Sequence, residues 1–354
     1  MTSPTFNEEI LTLALDSRAR TSAWLANEMQ VTPGMVSKWL HGTVVPSDDR
    51  AVEIAGKLNY PVRLFYRPER VRNSDSVCFH HRKRKSMPAR LLQRIEAEMH
   101  LTQLQAKRML NDLEIESTLP FLTLDTDEFG GAAETAQALR SYWRVPPGPI
   151  ANLTTLVESA GAVVVLRSFG TTKLDGMSCW AKGTPPLFFL NADLPTDRQR
   201  WTLAHELGHL TMHGTPPQGD PEVEAEDFAR ELLLPAGATT TELRRLSFMR
   251  LPALKHEWRV PMKELITAAH RRQLLPPSKT KSLSVQYSRA GWGTSEGYPI
   301  SPERPSSIGE ALRIHLGEHG YTVDELAAVV DLYPDEFRGN FNIPDPKEPR
   351  LRVV

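Results

Sequence analysis

The apolar positions of this chain recur mostly every three or four residues, the period of a helix, and only one stretch breaks into β-branched runs. In the first third the pattern predicts helices over 6–16, 21–29, 33–41 and 47–58 and a short fifth one from Tyr60. Local chemistry sets their ends. Thr32 is a good N-cap, Pro33 sits at the first helical position where a missing N–H costs nothing, and Gly42 is a C-terminal breaker. Two short helices joined by a turn of three or four residues is helix-turn-helix spacing. Further helices are predicted over 88–115, 132–142, 150–160, 198–213, 221–234, 239–248, 251–258, 261–273, 306–318 and 322–330. The β region holds three short strands, 162–166, 177–180 and 187–190, with Asp175-Gly176 as a turn signal. Residues 67–90 and 117–131 read as connectors, 276–305 as a Pro- and Ser-rich interruption, 216–220 as a loop, and the chain from Ile343 as a frayed end. The expected fold class is therefore mainly α with a small β-sheet (α+β). It divides into a five-helix domain at 1–68, a basic connector and helix at 69–131, a domain at 132–275 holding the strands, and a linker with a small helical subdomain at 276–354.

Composition narrows this picture. A chain of 354 residues with 40% hydrophobic and 24% charged residues has the make-up of an ordinary globular protein with two or three domains. It lacks an apolar run near the ~18 residues that span a bilayer, and MTSPTFNEEI has no basic segment followed by an apolar core, so no membrane partner and a cytoplasmic location are expected. The two cysteines, Cys78 and Cys179, lie far apart and form no C-x-x-C, which implies no disulfide framework. The net charge of −1 hides an uneven distribution: residues 63–94 hold ten Arg or Lys and only two acids, which suits a polyanionic partner.

The most informative string is His205-Glu206-Leu207-Gly208-His209. On a helix, residues four apart share a face, so both imidazoles address one point; this is the H-E-x-x-H zinc pattern. A catalytic zinc site needs three protein ligands and an open position. Glu224 is the best third ligand, because it lies on the side of Phe228, Leu232 and Pro235; Glu222 and Glu226 are the alternatives. Glu206 would not bind metal but would accept a proton from water activated by Zn2+. Gly208 weakens the helix by about 1 kcal/mol relative to Ala, which suggests that another backbone passes close by. His213 continues the spacing but stands two turns, ~12 Å, from His205, too far to share one ion with it, and reads as a supporting residue. The other histidines read as surface or interior residues. The segment 176–190 is expected to offer an edge strand to an extended substrate.

In a helix-turn-helix the second helix enters the major groove with its N-terminal residues at base edges. Here those are Thr32, Pro33, Gly34, Ser37 and Lys38, with Ser22 near a phosphate and Val31, Met35 or Val36, and Trp39 in the core.

Leu25-Ala26, Val31-Thr32, Val36-Ser37-Lys38-Trp39, Gly42 and Pro46-Ser47 resemble the Cro/C1-type (XRE) helix-turn-helix repressors, although Gln30 stands where that pattern has Gly. Leu190-Asn191, the run Arg198 to Leu210, His213, Glu224-Ala225, Phe228-Ala229 and Leu232 to Pro235 resemble the ImmA/IrrE metallopeptidases; the likeness extends over Leu139-Arg140, Gly148 to Ile150, Asp175 to Ser178 and Gly291 to Pro305. The resemblance implies a gluzincin-like zinc metalloendopeptidase with His205, His209 and Glu224 as ligands and Glu206 as base. It also implies a transcription regulator in stress, phage or mobile-element control. Such a protein binds a double-stranded operator, by default as a homodimer, and cleaves a repressor or regulates its own operon. Two other readings compete with it: a transcription factor whose peptidase-like domain is a non-cleaving sensor or dimerisation module, and an antitoxin-like interaction protein.

Overall fold

Capping sets the N-terminal helices. The Asn7 side chain accepts hydrogen bonds from the Glu9 and Ile10 N–H groups and opens α1 (Glu8–Ser17). Thr21 caps α2 (Ser22–Glu28) through the Trp24 N–H, and Thr32 caps α3 (Pro33–Leu40) through the Met35 N–H, with Pro33 in the first turn. Between α2 and α3, Gln30 takes the left-handed conformation at φ 51°, which costs a non-glycine residue about 1 kcal/mol. Helix α4 (Asp48–Leu58) follows, and a 3-10 turn over Val62–Tyr66 takes the place of the fifth helix. The structure, a computed structural model, describes residues 5–68, 87–111, 113, 117–181, 183–212, 220–341 and 343, and the backbone of 77–81.

The expected connectors hold more structure than their composition announces. Within 67–90 lies a strand, β1 (Val77–His81), followed by the long helix α5 (Ala89–Leu110). Next come α6 (Thr126–Phe129), α7 (Ala132–Tyr142), α8 (Leu153–Ser159), β2 (Val163–Arg167), β3 (Gly176–Trp180) and β4 (Leu187–Asn191). The helices α9 (Thr196–Met212), α10 (Pro221–Leu233), α11 (Ala236–Arg244), α12 (Leu251–Trp258) and α13 (Met262–Arg271) match the predicted pattern to within a few residues. Helix α14 (Pro277–Arg289) occupies half of the stretch read as an interruption, because its prolines stand at the N-terminus where a helix tolerates them. The chain ends in α15 (Ser307–Gly317), α16 (Val323–Val329) and an unpredicted α17 (Pro334–Phe341).

Packing divides the chain differently from the expected boundaries at 69, 132 and 276. One unit takes in the described residues up to 68, 87–113 and 307–343; the other takes in 77–81 and 117–306. In the first unit Ile10, Leu25, Trp39, Ile54 and Phe65 share a core with Leu101 and Met109 of α5 and with Leu312, Leu326 and Phe337 near the end of the chain. The fully buried Asp331 carboxylate pairs with Arg63 at 2.9 Å, with Arg67 at 2.8 Å and with Arg108. A buried charge is tolerable only with such partners, and these join three segments far apart in sequence.

The second unit is built on a four-stranded sheet of order β1-β3-β4-β2. Strands β2 and β4 run parallel and the other two pairs antiparallel, with Val163 opposite Leu187, Gly176 opposite Leu190, and Val77 opposite Trp180. Helix α9 lies against this sheet. A Cβ at Gly176 would come within 2.8 Å of Thr202 Cγ2 on α9 and 2.9 Å of Leu190 Cδ2. Gly176 thus opens β3 as a strand residue that lets a helix approach, and Asp175 beside it, instead of shaping a turn, is buried against Arg198 at 2.6 Å.

Helix α9 is buried at every position from 200 to 212, so its charged side chains need partners inside the protein. Arg200 pairs with Glu303 and donates to the Ile150 carbonyl; Asp197 meets Lys255 at 2.6 Å, and Lys255 reaches Glu296 at 2.8 Å. Glu303 also accepts from the Leu153 and Thr154 N–H groups at the start of α8. These pairs fasten the 291–306 segment to the unit it was expected to lead away from. Glu303→Ala, which strands the Arg200 guanidinium, is expected to lower unfolding free energy by about 3–5 kcal/mol, read from urea denaturation followed by tryptophan fluorescence. A loss under about 1 kcal/mol would show that the pair does not hold this segment.

Candidate metal centre

The two imidazoles on α9 converge as their spacing requires. His205 Nε2 and His209 Nε2 stand 3.1 Å apart, with the rings inclined at 77°. Two nitrogens each about 2.0–2.1 Å from one tetrahedral ion would be separated by about 3.3 Å. Helix α10 brings Glu222 to the same point: its carboxylate oxygens lie 3.5 Å from His205 Nε2 and 3.6 Å from His209 Nε2. Among the described residues, His205, His209 and Glu222 are the group whose ligand atoms gather in this way. Two neutral imidazoles and one carboxylate are the donor set of a catalytic zinc site, so the residues present fit the ion.

The carboxylate of this cluster is Glu222, which sequence reasoning ranked behind Glu224. The reason lies in the helix wheel. With Phe228 at zero and 100° per residue, Leu232, Ala225, Ala229 and Leu233 fall at about 40°, 60°, 100° and 140°, and all of them are buried. The buried Glu231 falls at about −60°, so the packed surface continues past Glu224 at about −40°. Glu222 falls at about 120°, about 160° from Glu224; both are half-buried, and it is the side carrying Glu222 that meets the two imidazoles. Glu226 stands 3.9 Å from His205 Nδ1, beyond hydrogen-bonding distance. Glu231 turns inward to Arg272 at 2.8 Å.

Close approach of α9 and α10 depends on Gly208. A Cβ there would lie 3.0 Å from Phe228 Cδ1 and 3.1 Å from Cγ. The neighbour that requires glycine is thus an aromatic ring of α10, not a passing backbone.

Glu206 is fully buried, one helical position from His205, and its Oε2 accepts a hydrogen bond of 2.7 Å from Ser178 Oγ on β3. Ser178 lay in a stretch carrying the family likeness but had no assigned role. Its alternation with the buried Met177 and Cys179 places it on the sheet face that meets α9. The histidine rings are almost wholly enclosed, at 1% and 0% exposure, whereas the Glu222 side chain is 43% exposed, so the cluster opens to solvent on the α10 side. An i, i+4 histidine pair alone does not make such a site: His315 on α15 and His319, two residues past its end, also approach, with Nδ1 atoms 3.4 Å apart, but His315 Nε2 is committed to the Met109 carbonyl at 2.7 Å.

Two sequence expectations meet different outcomes. The segment 176–190 holds no sheet edge, since β3 is flanked by β1 and β4, and β4 by β3 and β2. His213, the 216–219 stretch and the side chains of His80 and His81 lie outside the described residues. In the N-terminal unit, Ser22, Thr32, Pro33, Gly34, Ser37 and Lys38 are all exposed, while Val36 and Trp39 are buried and Val31 and Met35 half-buried.

A sequence profile of the M78 peptidases, described as the IrrE N-terminal-like domain, matches residues 157–270. The match spans β2 to α13 and contains every residue of the cluster, so this part of the chain is an M78 peptidase-like domain. No curated protein matches the chain.

Gly208→Ala gains about 1 kcal/mol of helix propensity but presses a methyl into the enclosed Phe228 ring, which costs about 1–3 kcal/mol. The expected result is a net loss of stability of about 1 kcal/mol in urea denaturation and weaker metal retention, as α10 carries Glu222 away. Gly208→Ala protein as stable as the parent would show that the helices have room to spare.

Proposed function

We propose that the M78-like unit is a zinc-dependent endopeptidase and that the N-terminal unit reads DNA, making the chain a DNA-binding regulator that cuts a repressor or its own chain. The observation that carries the enzymatic reading is the convergence of His205, His209 and Glu222 beside the buried carboxylate of Glu206. His205, His209 and Glu222 would hold Zn2+, which when bound polarises a carbonyl and makes water easier to deprotonate. Glu206 takes a proton from the attacking water and returns it to the departing amine. Ser178 fixes the rotamer of that carboxylate through its hydrogen bond to Oε2. The enclosed histidine side keeps bulk water from the basic group, and the Glu222 side admits substrate.

For the DNA reading, the support is the exposed row Thr32, Pro33, Gly34, Ser37 and Lys38 at the start of α3, with Ser22 at the start of α2. The short turn between the helices and the basic run at 63–94 support it further. Phosphate neutralisation supplies the sequence-independent part of such binding, and residues on the exposed start of α3 would supply the rest. A homodimer on a two-fold site is the form this reading expects.

Elemental analysis of the purified chain is expected to give about one zinc per protomer. Glu222→Ala should lose it and Glu224→Ala should keep it; the reverse pattern would restore Glu224 as the ligand. Glu206→Gln should retain zinc and lose cleavage of repressors encoded nearby, or of the chain itself, by about 100-fold or more. Unchanged cleavage in that variant would remove Glu206 from the chemistry, and a metal-free protein from zinc-replete buffer would end the enzymatic reading. In a mobility-shift assay on DNA flanking the gene, Lys38→Ala should weaken binding by about tenfold, and wild-type affinity should fall steeply with salt. Absence of any shift at low salt would reject the DNA reading without touching the peptidase.

A further inference from the structure

The chain has two cysteines, about a hundred residues apart in sequence. The sheet brings them together: Cys78 on β1 and Cys179 on β3 are Cα partners in the antiparallel ladder. Directly opposite residues of such a ladder share a face, with Cα atoms about 4.5 or 5.5 Å apart according to the type of pair. Both separations fall in the range of about 4.4–6.8 Å that a disulfide spans. Among the described residues, strand β1 is at the end of the sheet and is hydrogen-bonded to β3 alone. A bond at Cys78 would therefore fasten the one ladder by which this strand belongs to the sheet. Cys179 is fully buried and directly follows Ser178, the residue that donates to Glu206.

We propose that Cys78 and Cys179 form a reversible redox pair, in which oxidation by hydrogen peroxide closes a cross-strand disulfide that fastens β1 to β3. The peroxide takes two electrons from one thiol, giving a sulfenic acid and one water. The sulfur of the second thiol then attacks the first, the S–S bond forms, and the oxygen leaves as a second water. One peroxide and two thiols thus become one disulfide and two waters. A small thiol reverses the step through two exchanges and leaves as its own disulfide. Fastened in this way, β1 keeps filled the flank of β3 along which an extended peptide would otherwise pair. That consequence rests on the peptidase reading, whereas formation of the disulfide does not.

The test uses the full chain, reduced and then treated with hydrogen peroxide, alkylated with iodoacetamide under denaturing conditions and digested with trypsin without reduction. The expected product is a crosslink between the peptides spanning 73–82 and 174–182, absent from the reduced control and released by dithiothreitol. The backbone amides of 77–81 should exchange with solvent at least about tenfold more slowly in the oxidised protein, and Cys78→Ser should show neither change. Alkylation of both cysteines after peroxide, disulfides between chains only, or a crosslink without slower exchange would each overturn the proposal. Peptide cleavage is measured on the same two samples. Activity in neither state counts against the peptidase reading and leaves the redox pair standing, whereas equal activity in both refutes a role for β1 in access.

Discussion

The contact between Gly208 and Phe228 is the constraint on which the candidate site depends. Helix α9 can hold two imidazoles together by its own geometry, but the third donor sits on another helix. Its position is set by how closely that helix can come. With no side chain at position 208, the Phe228 ring packs on the α9 backbone, and the axis of α10 is drawn in until Glu222 reaches both Nε2 atoms. On the opposite side of α9 the same device recurs at Gly176, where β3 passes under Thr202 and brings Ser178 to Glu206. Two glycines thus place an acid and a hydroxyl from two different elements around one buried helix.

Burying α9 on all sides has a cost that the rest of the unit meets. Arg200, Asp197 and Lys255 are almost fully enclosed, and each would be strongly destabilising alone. Asp197 pairs with Lys255, and Arg200 and Lys255 find their other partners in Glu303 and Glu296 of the 291–306 segment. Arg140 performs a similar task for α10: it donates to the Leu232 carbonyl at the end of that helix and to Pro146 and Gly148 in the loop after α7. The polar interior therefore works as a set of ties between irregular chain and the two helices that carry the His205, His209 and Glu222 cluster.

Elements with a strong internal signal were legible. The cap of α3, the helix carrying His205 to His209 and the three apolar strands all stand where periodicity and capping chemistry put them, because those features are decided within a few residues. Strand β1 was not legible, since Val77 to His81 has no alternation of its own and becomes a strand by pairing with β3. Helix α14 was hidden by its prolines, and α17 by its shortness. Glu222 and Glu224 stand about 160° apart around α10, and both sides are partly buried, so the choice turned on which side of that helix meets α9, which sequence spacing does not say.

The sequence by itself determined that His205 and His209 address one point, that Glu206 stands beside them, and that the chain is mainly helical with a small sheet. All of these follow from helix and strand periods. Tertiary structure alone decided the acid that joins the two imidazoles, the partner of Glu206, the meeting of Cys78 with Cys179, and the joining of the N-terminal helices with α15 to α17 in one unit. Each of these is a contact between residues far apart in the chain. Such contacts depend on close packing and on the pairing of buried charge, and neither is written in the spacing of a single segment.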